Sequence, residues 1–255
     1  HEIESFDPEE FWTLTINFQD DKKKLISASI FQLNGNKVEK FSFRNKVEID
    51  KAIEKIKDKK FDISDISSKV INRNPSGPFT TSTLQQVASS RLGFGASRTM
   101  QIAQRLYQGI EIDGETIGLI TYMRTDGTNL SADAITDFRD YIKNEYGKEY
   151  LPENPLNYSG KKAKNAQEAH EAIRPTDINR SPESIKKYLS TDQQKLYNLI
   201  WGRALSSQME TAKFDRSTIT IISNDGETVC KTSGSILKFD GYLKVFPSPS
   251  KDDDE

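Results

Sequence analysis

Apolar and polar positions change rhythm twice along this chain of 255 residues. At the start they alternate: Trp12, Leu14, Ile16 and Phe18 stand two apart, the period of a strand with one buried face. A second apolar run over 25–33 ends at Asn34-Gly35-Asn36, a turn signal. Ile49, Ile53 and Ile56 then fall at helical spacing within 47–57, and 61–70 reads as a further strand. Asn74-Pro75-Ser76-Gly77-Pro78 breaks the pattern and marks a domain boundary.

Beyond the break the rhythm is helical. Residues 80–92 open on hydroxyl caps and stop at Gly93. Ser97 is expected to cap a second helix ending at Gly109, with Met100, Ala103, Leu106 and Tyr107 on one face. The Gly93-Phe94-Gly95 link gives the pair a helix-turn-helix outline, for which plain helical packing is the commoner use. Residues 117–123 read as a short extended element. Ser131 caps a helix through Tyr146, closed by Gly147, and 163–173 is expected as a short helix halted by Pro175. Ser181-Pro182-Glu183 signals another helix start, and Ser190 with Gln193 a capping box for a helix through Met209. Strands return at 217–222, at 228–232 after Asn224-Asp225-Gly226, and at 236–246, before a polar, acidic tail. The pattern predicts an α+β fold. A discontinuous β-rich arch domain is built from both ends, residues 1–72 and 208–255. A mainly α-helical domain, 73–207, is inserted into it. Separate sheets at each end would be marginal hairpins, which favours one shared sheet.

Composition narrows the function classes. A net charge of −2 argues against a broad electrostatic grip on duplex DNA. Locally, however, Lys69, Arg73, Arg91, Arg98 and Arg105 fall within 66–110 with no acidic residue among them. That is either a solvated helical surface or a groove for a nucleic-acid backbone. The single cysteine, Cys230, excludes an internal disulfide and a cysteine-based zinc site, and points to the reducing cytoplasm. No apolar run approaches the ~20 residues of a bilayer span, so no membrane partner is expected. The charged opening His1-Glu2-Ile3-Glu4 is no signal peptide, and His1 is no initiator, so a longer parent or a tag scar is expected upstream.

The candidate chemistry lies in Gly118-Leu119-Ile120-Thr121-Tyr122-Met123-Arg124-Thr125-Asp126-Gly127-Thr128-Asn129-Leu130-Ser131. A phenol with a nearby permanent cation suits tyrosine attack on phosphorus, because the cation neutralises the oxyanions that the nucleophile must approach. On an extended element Tyr122 and Arg124, two apart, share a face. Against this, most tyrosines in such apolar runs are packing residues, and Arg124 has Asp126 or Asp133 as ordinary partners. His170 and Arg174 are four apart; on a helix they stack on one face and suit a phosphate, although Glu171 beside them can pair with a cation. Metal binding by this chain is not expected, since His-Glu-x-x-His spacing is absent. Nor does the chain carry a Gly-x-Ser-x-Gly elbow or a Walker or dinucleotide-binding glycine fingerprint.

Several motifs together resemble one family, the type IA DNA topoisomerases of the bacterial topoisomerase I kind. They are Pro78-Phe79-Thr80-Thr81-Ser82-Thr83-Leu84-Gln85-Gln86, Arg91-Leu92-Gly93-Phe94, Ala103-Gln104-Arg105-Leu106-Tyr107, the segment 118–131 and Ala169-His170-Glu171-Ala172-Ile173-Arg174-Pro175, with a weaker match at Phe239-Asp240-Gly241-Tyr242. The resemblance implies that Tyr122 is the nucleophile and joins the 5′-phosphate of single-stranded DNA. It implies that Arg124 binds the scissile phosphate, that His170 binds a nearby one, and that Arg174 belongs to the same DNA-binding set. It implies ATP-independent relaxation of negatively supercoiled DNA in a bacterial cytoplasm, at the nucleoid. Gly127 departs from the family's usual serine. The family's acidic domain, which binds Mg²⁺, and part of its single-strand cleft are not in this sequence. The chain is therefore expected to be the arch and tyrosine domains of a larger enzyme, to bind no cofactor itself and not to relax DNA alone. The other readings are a non-catalytic single-stranded DNA-binding module that uses Tyr122 for stacking, and a scaffold whose tyrosine is structural.

Overall fold

The computed structural model describes residues 5–19, 22–158 and 170–248. β1 (Thr15–Gln19) and β2 (Leu25–Leu33) pair antiparallel with Phe18 opposite Ile26. Asn34 and Gly35, at φ 49° and 76°, turn the chain into the short β3 (Asn36–Lys37). In α1 (Lys46–Ile56) the Asn45 side chain accepts from the Glu48 amide, and Ile49, Ala52 and Ile56 are buried. β4 (Phe61–Arg73) follows. Next come α2 (Thr81–Leu92), α3 (Ala96–Gln108), the hairpin of β5 (Ile110–Ile112) and β6 (Glu115–Ile117), α4 (Ala132–Glu145) and α5 (Thr191–Ser206). β7 (Ala212–Ser223) and β8 (Thr228–Phe239) are the last strands.

The fold is α+β, with one multi-stranded sheet in the order β1-β2-β8-β7-β4 and β3 beside β2. Strands from the two ends of the chain share this sheet, and β8 pairs antiparallel with β2, setting Ile30 opposite Cys230. Ala28, Ile30, Ile56, Ile221 and Cys230 are buried together. Burial pushes the Cys230 thiol up to about 11, so it packs as a small apolar side chain rather than a reactive thiolate.

The chain divides into two compact units. One contains the described residues up to 71 and 215–236; the other contains the described residues of 72–214 and 237–248. Residues 208–214 and 237–248, expected in the β-rich domain, thus group with the helical unit. Tyr242, Val245 and Phe246 pack against its core, with Gly202 of α5 close to Phe246. That core also buries Phe79, Leu84, Leu119, Phe138, Ile173 and Tyr197.

Caps fix most helix ends where the sequence indicates. Thr80 and Thr83 exchange a capping box at α2, Gly93 ends that helix at φ 68°, and Ser190 with Gln193 caps α5. Five expectations differ. α3 starts from Gly95 without a side-chain cap, so Ser97 lies inside it. Its buried face is Thr99, Ile102, Ala103 and Leu106, which leaves Tyr107 exposed. Ser181-Pro182-Glu183 leads only to a short 3-10 turn at Lys186–Tyr188, and the expected strand 236–246 bends at Asp240 into another at Gly241–Lys244. Of the expected helix 163–173, residues 163–169 lie outside the described residues. Residues 170–175 are extended, bridged through Glu171 to Asn129, Ile173 to Phe79 and Pro175 to Ile120. Backbone pairing with three separate segments replaces helical bonding there.

Candidate active site

The segment bearing Tyr122 leaves the β5–β6 hairpin and runs between the end of α3 and residues 172–176. Its apolar side chains anchor it, with Leu119, Ile120 and Met123 each at most 1% exposed. Backbone bonds do the rest. The Leu119 amide donates to the Leu106 carbonyl (2.8 Å), the Thr121 amide to Arg174 (2.9 Å), and the Thr176 amide to Leu119 (3.0 Å). The Thr121 hydroxyl donates to the Ala172 carbonyl (2.7 Å) and accepts from the Arg174 amide (3.0 Å). Thr81, in the first turn of α2, ties the far side. Its hydroxyl donates to the Met123 carbonyl (2.8 Å) and accepts from the Thr125 amide (2.8 Å). Every one of these groups lies within three residues of Tyr122 or opposite it, so the tyrosine backbone is clamped from both sides.

The phenol itself is open. Tyr122 is 51% exposed, and its ring meets that of Tyr107 edge to face with centroids 5.4 Å apart. Residues 121, 123 and 124 bend, so strand alternation is not what aligns Tyr122 with Arg124. They emerge at the surface on either side of buried Met123. Among the described residues Arg124 pairs with neither Asp126 nor Asp133, so its guanidinium faces solvent.

Behind Tyr122, Arg174 is committed within the protein. Its Nε donates to Glu171 Oε1 (2.6 Å) and its Nη1 to the Pro175 carbonyl (2.9 Å). The same Glu171 oxygen accepts from the Ser131 amide (3.0 Å) at the start of α4. Burial works to raise the Glu171 carboxyl, but the Arg174 and Ser131 bonds outweigh it and hold the group below its ordinary value. The resulting Ser131–Glu171–Arg174 knot positions the 170–175 segment rather than offering a free cation, and the expected helical stacking of His170 on Arg174 does not form. His170 is exposed and makes no side-chain hydrogen bond among the described residues. Its backbone reaches the tyrosine loop: a Cβ on Gly127 would stand 2.7 Å from the His170 carbonyl carbon. Glycine at 127 therefore permits a close backbone approach.

Sequence reasoning misses three participants. Thr81 and Thr121 act through non-local bonds, and Tyr107 is grouped by spacing with Ala103 and Leu106 on one face of α3. Asp113-Gly114, a hairpin-turn dipeptide that the pattern reading does not use, makes the β5–β6 turn, where φ is 50° and 89°. No group of three or more His, Cys, Asp or Glu suited to a metal ion occurs among the described residues. No described helix is long and apolar enough to cross a membrane.

A family model described as DNA topoisomerase matches residues 1–255. The chain is 47% identical over 254 residues to DNA topoisomerase 1 of Rickettsia typhi, covering 100% of this chain and 32% of that protein. It is 43% identical over 254 residues to DNA topoisomerase 1 of Haemophilus influenzae, covering 100% of this chain and 27% of the relative. The solved structure of full-length topoisomerase I from Thermotoga maritima superposes with a TM-score of 0.76 at 35% identity, over 97% of this chain and 37% of that one. The chain thus spans about a third of the relatives it matches.

Proposed function

This chain belongs to the DNA topoisomerase family, in its bacterial type IA branch, and from that premise we propose that it carries the nucleophile of a strand-cleaving and resealing reaction. The Tyr122 phenol oxygen attacks the scissile phosphorus of single-stranded DNA. A P–O bond to tyrosine forms as the P–O3′ bond breaks. The phenol loses its proton, and the departing 3′-oxygen gains one. One phosphoester replaces another, so the reverse attack reseals the strand without ATP. Repeated with strand passage, this relaxes negative supercoils.

The observation that carries this reading is the pairing of a clamped backbone with an open phenol at Tyr122, beside a guanidinium with no described protein partner. Clamping holds the nucleophile in an attack geometry. Arg124 is free to fork two phosphate oxygens and to stabilise charge as the pentavalent state forms. The exposed His170 imidazole would hold a neighbouring backbone phosphate, while Arg174 acts as a positioning residue through Glu171. In this reading Mg²⁺ and the acid that protonates the 3′-oxygen belong to an acidic domain beyond these residues, and single-strand capture is shared with a further cleft domain. The chain by itself then does not relax DNA. Mg²⁺ would supply electrostatic stabilisation at the phosphate.

The exposed Tyr107–Tyr122 pair also favours a second reading, a single-stranded DNA-binding module in which these rings stack on bases. Tyr122→Phe separates the two. Phenylalanine keeps the ring and loses the oxygen, so DNA binding persists under both readings. Cleavage, with the acidic domain supplied, disappears only if Tyr122 is the nucleophile. Undiminished cleavage by Tyr122→Phe refutes the proposal.

A further inference from the structure

Beside the tyrosine loop, the solvent face of α3 forms an open groove of about 580 Å³ lined by Ser97, Met100, Gln101, Gln104, Arg105, Gln108, Met123 and Arg124. No acidic side chain lines it. Arg98, also on α3, is taken by Asp192 at 2.7 Å. By contrast, the side chains of Gln101, Gln104, Arg105, Gln108 and Arg124 make no hydrogen bond or ion pair with another described residue. Two unpaired guanidiniums, a row of amides along one helix face and the half-buried Met100 thioether match a phosphodiester strand. Guanidiniums take phosphate, amides take base edges or sugar, and polarisable methionine sulfur suits the flat face of a base. From Ser97 to Gln108 the helix rises about 16 Å, room for about four or five nucleotides at the stacked spacing of about 3.4 Å.

We propose that this groove is the track for the nucleotides immediately 3′ of the scissile phosphate. The inference rests on Tyr122 as the nucleophile, and it adds a polarity. A tyrosine joined to a 5′-phosphate keeps the downstream strand, and whatever holds that strand while the break is open must lie on the same body as Tyr122. Arg124 both neighbours Tyr122 in sequence and lines the groove, so the strand enters there and continues past Arg105 toward Ser97. Gln101, Gln104 and Arg105 are then binding residues for DNA that is already cleaved.

The test uses this chain and dye-labelled oligothymidylates carrying a phosphate on either the 5′ or the 3′ end, read by fluorescence anisotropy at low salt. The 5′-phosphorylated octanucleotide is expected to bind about tenfold more tightly than its 3′-phosphorylated counterpart. It is also expected to bind more tightly than the 5′-phosphorylated dinucleotide. Arg124→Ala should remove the end preference. The pair Gln101→Ala and Arg105→Ala, both exposed and safe for folding, should remove the length dependence while the end preference remains. Equal binding of the two phosphorylated ends overturns the proposal, as does a length dependence that survives in the double variant, or no binding at all. The nucleophile reading fails separately, if Tyr122→Phe still cleaves, and that result leaves the polarity data standing.

Discussion

Gly127→Ser introduces the serine that the family resemblance leads one to expect there, and the structure makes it damaging. A Cβ at 127 would lie 2.7 Å from the His170 carbonyl carbon. The His170 carbonyl oxygen would be closer still, and carbon atoms rest at about 3.5–4.0 Å, so the 170–175 segment or the loop must retreat by more than about 1 Å. The obstacle is backbone, not the end of a flexible side chain, and the segment is held by the Ala172 amide on Asn129 and the Ile173 amide on Phe79, both at 2.9 Å. Overpacking of this kind costs about 1–3 kcal/mol. A displacement of about 1 Å next to a nucleophile can cost about a hundredfold in rate. Urea unfolding of the chain measures the first effect. Single-strand cleavage with the acidic domain supplied measures the second. Gly127→Ala is the control, since it adds the carbon without the hydroxyl. Both variants should be destabilised and slowed to a similar degree. A serine variant that is as stable as the parent within about 0.5 kcal/mol, and cleaves as fast or faster, refutes the steric argument and gives weight to the missing hydroxyl instead.

Thr121→Val leaves the Ala172 carbonyl and the Arg174 amide without a partner; it should cost about 1–3 kcal/mol in urea unfolding, with Thr121→Ser close to the parent. Arg124→Ala removes an exposed side chain that has no described partner, so stability should move by less than about 0.5 kcal/mol, while cleavage falls about a hundredfold or more. Glu171 supplies a pH dependence of known sign. Its folded value lies below the ordinary 4.5, so its contribution is fully present above that pH and is lost as pH falls through the folded value. Glu171→Gln should therefore flatten the acid limb of stability against pH below about 4.5, measured by thermal unfolding across a pH series. Thr80→Ala, which removes half of the α2 capping box, should cost about 0.5–2 kcal/mol by the same unfolding assay.

What could be read from the sequence was local. Thr80, Gly93, Ser131 and Ser190 mark helix ends because the cap and the amide or carbonyl it satisfies are a few residues apart. Alternation in β1 and β2 signalled strands for the same reason, and the strand–helix–strand order implied one sheet from both ends. The 170–175 segment was misread because its partners are Phe79, Ile120 and Asn129, between 42 and 94 residues away in sequence, and Ala-rich spacing looks helical when those are unknown. Spacing puts Tyr107 on one face with Met100, Ala103 and Leu106, but the buried stripe of α3 is Thr99, Ile102, Ala103 and Leu106, which leaves Tyr107 at its exposed edge. The site followed a similar division. Tyr122 and Arg124 stood out through their spacing, whereas Thr81, Thr121 and the Glu171–Arg174 pair act through contacts that only the fold creates. The amide row on α3 carried no charge pattern to mark it. It becomes a groove only once Arg124 folds against it.

The most direct measurement combines this chain, an upstream acidic domain in trans, Mg²⁺ and single-stranded DNA labelled on the 3′ side of the break, followed by denaturation and peptide mass spectrometry. If a phenol in this chain is the nucleophile, the labelled strand travels with the peptide containing Tyr122, joined through its 5′-phosphate, and the adduct vanishes in Tyr122→Phe. An adduct on a different residue, or one that persists in that variant, contradicts it.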